Sequence, residues 1–328
     1  MKAFAYDSAH ALEDFALELR DVPDPVIGPK DLLVAVKAFA LNPVDTKLRK
    51  VRGGSDAGPA ILGWDAAGVV EAVGADVTGF ALGDEIYYAG DVTRAGSYAT
   101  KQAVDYRIVA RKPGSLDFAD AAALPLTALT AHEAMLERGV AYAADSQVLV
   151  VGGAGGVGSL AIQLLKALTP ATVIATATRP ETIAWAKDMG ADHVIGRALG
   201  DELARIGISG LHAIFITTST GDYWDAVPGL LRPFGHLMVI DEPATMDMKP
   251  FKQKALTVHW EYMFAKAMFG FRPEEQGAML AELAALVDAG KVRTTRTQTL
   301  PATAENLRAG HAALEGGTAI GKIVMSWT

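Results

Sequence analysis

Short apolar runs separated by glycine and aspartate dominate the first third of the chain. Leu32–Ala38, Gly68–Gly74 and Phe80–Ile86 are such runs, and turn formers lie between them. The spacing predicts a small, barrel-like β region up to about residue 110. After Pro113 the pattern changes. Asp120–Arg138 is rich in Ala and Leu and predicts helix, broken near Pro125. Val148–Val151 reads as a continuous apolar strand, and Gly155–Leu168 as a helix with Leu160, Leu164 and Leu168 on one face. Thr172–Thr176 is the next strand. Pro180 suits the first turn of a helix that ends before Gly190. Further strands are predicted at 193–195, 213–217 and 236–240. This alternation belongs to the α/β class with a parallel, doubly wound sheet. Glu274–Ala289 predicts a long helix with an acidic first turn, an apolar stripe of Leu280, Leu283 and Val287, and a stop at Gly290. Ile320–Met325 is a strand that the pattern assigns to neither region.

Composition narrows the function. A chain of 328 residues, half of them hydrophobic, predicts two domains. The net charge is −8 and the 30 basic residues form no block, which argues against nucleic-acid binding. No run is long and apolar enough for a membrane span, and no leader-like segment opens the chain, so a cytoplasmic location is expected. With no cysteine there is no disulfide, no thiolate nucleophile and no cysteine-ligated zinc. The seven histidines form neither H-x-H nor H-E-x-x-H.

Gly153-Ala154-Gly155-Gly156-Val157-Gly158 matches G-x-G-x-x-G between an apolar strand and a periodic helix. In a dinucleotide site Gly153 would permit the tight turn, Gly155 the approach of the pyrophosphate, and Gly158 close helix–strand packing, while the helix N-terminus supplies N–H groups to phosphate. The end of the second strand, Thr176-Ala177-Thr178-Arg179, lacks the acid that binds the ribose of NAD. Thr178 and Arg179, with Arg197 after the third strand, suit a 2′-phosphate, and NADPH is the expected cofactor.

With that motif placed, the chain resembles the medium-chain dehydrogenase/reductase superfamily on its zinc-free, quinone oxidoreductase-like side. The resemblance spans the chain through Leu41–Lys47, Gly63–Val70, Pro125–Ala131 and Val148–Gly158. It implies a GroES-like catalytic domain at 1–125, a Rossmann nucleotide-binding domain at 126–264, and a return to the catalytic domain at 265–328. It also implies a homodimer paired through nucleotide domains, for which the strand at Leu237–Ile240 could supply the edge. Zinc-dependent relatives hold their catalytic metal with two cysteines and a histidine. The corresponding positions here are Asn42, Trp64 and Leu126, and the cysteine-bearing structural lobe is missing.

Without a metal, hydrogen-bond donors must stabilise the charge that hydride transfer creates, which favours quinones and α,β-unsaturated carbonyls as small-molecule acceptors. A zinc-free carbonyl reductase and a non-enzymatic nucleotide-binding protein are the alternatives. The resemblance places Asn42 and Asp45 beside nicotinamide and substrate, and Thr130 near the nicotinamide ribose. Lys47 stands where relatives often carry tyrosine and is either an oxyanion partner or a surface lysine. His259 and Tyr262, in the aromatic stretch His259–Phe264, are candidate proton donors.

Overall fold

The apolar run around Val148 becomes the first of six parallel strands in the computed structural model, which describes residues 1–56 and 58–327. Two units separate along the chain: Met1–Leu126 with Phe264–Thr328, and Thr127–Met263.

In Thr127–Met263 the strands lie side by side as His193–Ile195, Thr172–Thr176, Gln147–Val151, Leu211–Ile216, Leu231–Val239 and Thr257–Trp260. In chain order this is third, second, first, fourth, fifth and sixth, the order of a dinucleotide-binding fold. Strands covered on both faces read as unbroken apolar runs rather than alternating ones. Val148, Leu149, Val150, Ile214 and Leu237 are accordingly buried. Helix Gly156–Leu168 packs on this sheet. Leu160 and Leu164 are buried as expected, but Leu168, the last residue of the helix, is exposed. The expectation for the sheet edge needs correcting too. Leu231–Val239 is interior, paired on both sides, and Thr257–Trp260 is the edge strand.

The other unit carries a seven-stranded sheet built around Asp31–Ala40, which pairs with Ala66–Val73, Lys101–Asp105 and the tail strand Lys322–Ser326. The tail strand therefore belongs to this unit, with Val324 opposite Ala40. That register brings Lys322 to the residues that follow Ala40, across some 280 positions of sequence. The long helix spans Glu274–Asp288 and buries Leu280, Leu283 and Val287. Among the described residues no helix is long and apolar enough to cross a membrane.

Candidate functional site

The glycine-rich turn leaves the first parallel strand next to the fourth, where the strand order reverses and α/β sheets bind their ligands. Its positive φ falls on Gly152 (82°), not on Gly153. Gly153 is needed for another reason: a Cβ there would meet Ala175 Cβ at 2.7 Å, so it lets the turn lie against the second strand. A Cβ on Gly158 would stand 2.2 Å from Gly152 O, which is the close helix–strand approach expected of it. A Cβ on Gly155 meets only Gly152 O, at 3.5 Å, so that side of the turn is open. Gly155 caps helix Gly156–Leu168, whose first N–H groups have no acceptor within the helix. Ala154 is buried, whereas Gly156 and Val157 are partly accessible. The open backbone and the helix N-terminus together form an anion cradle.

Beyond the second strand Thr178 is exposed and Arg179 half-buried, and Arg197 is exposed after the third. The Arg179 side chain is not idle: its Nε lies 2.8 Å from Glu181 Oε1. An ion pair this accessible is weak, so a phosphate can compete with the carboxylate.

In the other unit Asn42 precedes helix Pro43–Arg49 and is buried, as is Asp45. The Asn42 backbone N–H donates to Asp45 Oδ2 at 2.7 Å. Its side chain belongs to a closed network. The Lys322 ammonium has three protons and three acceptors: Leu41 O at 2.8 Å, Asp65 Oδ2 at 2.9 Å and Asn42 Oδ1 in a short contact. Asn42 Nδ2 donates to Asp65 Oδ2 at 2.9 Å, and Leu126 N–H donates to Asp65 Oδ1 at 2.7 Å. Lysine only donates and carboxylate only accepts, so the orientation of the Asn42 amide is fixed. Both of its ends are occupied by protein. Burial raises the Asp65 pKa, opposed by the Lys322 charge.

Lys47 points to solvent on the same helix. Thr130, a residue of the nucleotide unit, is buried in helix Pro125–His132, and Tyr262 is half exposed after the edge strand. Next to Tyr262, Glu261 is buried. Burial and the Glu133 carboxylate push its pKa up, against the pull of Arg138 at 2.8 Å. His259 is engaged by a neighbour, with Nε2 3.1 Å from His236 Nδ1, and His236 in turn packs against His212. These histidines come one each from three adjacent strands, which no local motif can reveal. Lys322, Tyr98 and His311 lie outside every motif, and Asp65 lies inside Gly63–Val70 without a role that the motif assigns. The only signal was a lysine set inside an otherwise apolar tail strand, Ile320–Met325.

Comparison with known proteins gives these features a family. The alcohol dehydrogenase GroES-like domain matches residues 28–123, and the zinc-binding dehydrogenase domain matches residues 156–285. A zinc-type alcohol dehydrogenase-like protein of Staphylococcus aureus is 35% identical over 338 residues, 99% of this chain and 100% of the relative. The chain belongs to the medium-chain dehydrogenase/reductase superfamily. A crystal structure from Rhizobium etli, carrying a provisional zinc-dependent alcohol dehydrogenase name, shares 44% identity with a TM-score of 0.95, covering 100% of this chain and 98% of that one. The NADPH-dependent alkenal/one oxidoreductase of Arabidopsis thaliana is 38% identical over 204 residues, 60% of this chain and 52% of its own length.

Three of these names imply zinc, and the residues here do not fit it. Asn42 is bound at both ends, Trp64 Nε1 donates to Asp91 O at 3.0 Å, and Leu126 has no donor side chain. Of the two buried carboxyl groups nearby, Asp65 already faces a buried ammonium, and Asp45 accepts from the Asn42 N–H and the Tyr98 hydroxyl. A divalent cation would have to displace Lys322 and would find no nitrogen or sulfur ligand. Among the described residues no group of three or more His, Asp or Glu side chains is arranged to hold a metal ion.

Proposed function

We propose that this protein is an NADPH-dependent, metal-independent reductase that transfers hydride to quinones or α,β-unsaturated carbonyls. The observation that carries the proposal is the closed Lys322–Asp65–Asn42 network, which ties up Asn42, one of the three positions that correspond to metal ligands in zinc-dependent relatives. Without a Lewis acid, hydrogen-bond donors alone stabilise the charge formed on hydride transfer, which favours acceptors that are electron-poor by themselves over plain ketones. The alkenal/one relative, which uses NADPH, supports the same class. NADPH would be bound by the turn Gly153–Gly158 through its pyrophosphate and by Thr178, Arg179 and Arg197 through its 2′-phosphate. Thr130 is assigned to the nicotinamide ribose. Asn42 and Asp45 belong to the reacting end as a rigid support, and Lys47 and Tyr262 are its candidate charge and proton partners. The edge strand Thr257–Trp260 is where a homodimer would extend the sheet.

NADPH oxidation followed by absorbance against an ortho-quinone, an enone and the saturated ketone of the same skeleton tests the chemistry. The conjugated acceptors should turn over faster. Faster turnover of the ketone would replace this reading with a zinc-free carbonyl reductase.

Cofactor choice has its own test. A charge-assisted bond at a site as open as Arg179 is worth about 1.4 kcal/mol, or roughly tenfold in affinity. Arg179→Ala should weaken NADPH by about that factor and leave NADH unchanged, as read by fluorescence titration of both cofactors. Equal wild-type affinities for the two would overturn the preference.

A further inference from the structure

Helix Pro43–Arg49, helix Ala304–Glu315 and Tyr98 bring four buried polar side chains into one line. Arg49 pairs with Glu315 Oε1 at 2.5 Å, and its second terminal nitrogen lies 2.9 Å from His311 Nδ1. His311 Nε2 is 3.2 Å from the Tyr98 hydroxyl, which is 2.8 Å from Asp45 Oδ2. A guanidinium only donates, so His311 Nδ1 must accept. The ring proton then sits on Nε2 and is donated to Tyr98, which leaves the tyrosine proton for Asp45. Every bond points from Arg49 toward Asp45. Burial and the Arg49 charge push the His311 pKa down to about 3, so the ring stays neutral and the direction cannot reverse near neutral pH.

Asp45 stands apart from the other buried charges of this unit. Lys322 has Asp65, and Arg49 has Glu315. Among the described residues no cation is hydrogen-bonded to Asp45. Its Oδ2 accepts from the Asn42 N–H and from Tyr98, while its buried Oδ1 has no hydrogen-bond partner among the described residues. An unsatisfied, buried carboxyl oxygen is where a proton is retained.

We propose that Arg49, His311 and Tyr98 are positioning residues for Asp45, a one-way line of donated hydrogen bonds that sets when this carboxyl gives up its proton. The consequence for turnover rests on the proposed reductase function, whereas the line itself does not. Tyr6, Tyr98, Asp65 and Lys322 face Asp45, with Arg49, Arg52 and His311 next to these. Burial pushes the Asp45 carboxyl up to about 7, with a contribution from Asp65 and against the Asn42 and Tyr98 donors and the Lys322 charge.

The sign follows from linkage. A folded-state carboxyl pKa above the unfolded one means that stability is lost as pH rises from about 4 toward the folded value. Asparagine at this position accepts the same two bonds and carries no charge. The stability difference between wild type and Asp45→Asn, measured by thermal unfolding without cofactor or substrate, should therefore grow with pH and level off near 7. Tyr98→Phe deletes one donor to the ionised carboxylate, and in that background the levelling point should move up by about one pH unit. Tyr87→Phe, which removes a buried hydroxyl donated to Leu280 O, should lower stability without moving the point. If Tyr98→Phe does not fold, His311 replaces it. His311→Gln can accept from Arg49 and donate to Tyr98, so it should keep the wild-type levelling point, while His311→Leu should raise it. A pH-independent difference, or a point unmoved in Tyr98→Phe or His311→Leu, overturns the proposal. All of these readings can be made on a protein that reduces neither quinone nor enone.

Discussion

Gly158→Ala should lose most dinucleotide binding and part of the stability of its unit. The new Cβ would stand 2.2 Å from Gly152 O and 2.9 Å from Gly153 Cα. Both contacts are backbone, so no side chain can swing away. Either helix Gly156–Leu168 retreats from the sheet or the turn opens. Forcing an atom into packed structure costs about 1–3 kcal/mol. The N–H groups of the cradle move with the helix. Losing two charge-assisted bonds to pyrophosphate would weaken NADPH by roughly a hundredfold or more. Gly155→Ala should behave differently. Its φ of −75° suits any residue, and its Cβ makes only an ordinary contact with Gly152 O. Stability should change by less than about 0.5 kcal/mol, while the methyl group intrudes on the open side of the turn. Thermal unfolding and NADPH titration of both variants separate packing from ligand binding. Wild-type NADPH affinity in Gly155→Ala would show that the open side does not receive the pyrophosphate.

The contrast between these two glycines marks the limit of what the sequence discloses. The strand before the turn, the helix after it and the alternation that follows were legible, because a sheet buried on both faces demands unbroken apolar runs. Helix Glu274–Asp288 was legible to one residue at its C-terminus, where Gly290 takes a positive φ. The assignment of the turn itself to Gly153 was off by one, since the motif fixes spacing while the φ of each glycine depends on the path of the chain. Ala175, which Gly153 packs against, belongs to the next strand. The support beneath Asn42 was invisible for the same reason. Asn42 and Asp65 lie in Leu41–Lys47 and Gly63–Val70, yet nothing local says that Lys322 reaches both. That follows only from the antiparallel register of the tail strand against Asp31–Ala40. Nor does periodicity show that both ends of the Asn42 amide are taken by protein. The two bonds hold the Asn42 amide in one orientation.

Lys322→Met should strongly destabilise the catalytic unit. The ammonium is buried and satisfies Leu41 O, Asn42 Oδ1 and Asp65 Oδ2 at once. Methionine has similar length and no charge, so packing is largely kept and the loss is electrostatic. Removing one partner of a buried ion pair costs about 3–5 kcal/mol, mostly because the remaining charge is stranded. For a unit of this size that corresponds to a fall in Tm of roughly 6–20 °C. The stranded Asp65 escapes by protonation, and burial already raises its pKa with Lys322 present. Without the ammonium the folded-state pKa rises further, so the penalty should grow as pH climbs above the unfolded carboxyl value of about 4 and shrink below it. Adding Asp65→Asn removes the stranded charge. The double variant should therefore recover part of the loss at pH 8 and little of it at pH 4. The amide introduced by Asp65→Asn can still accept from Leu126 N–H, which keeps that tie in place. Thermal unfolding of both variants at the two pH values decides the matter. A pH-independent fall in Tm, unrelieved by Asp65→Asn, would mean that Lys322 contributes only its packing, and that its buried charge supports nothing.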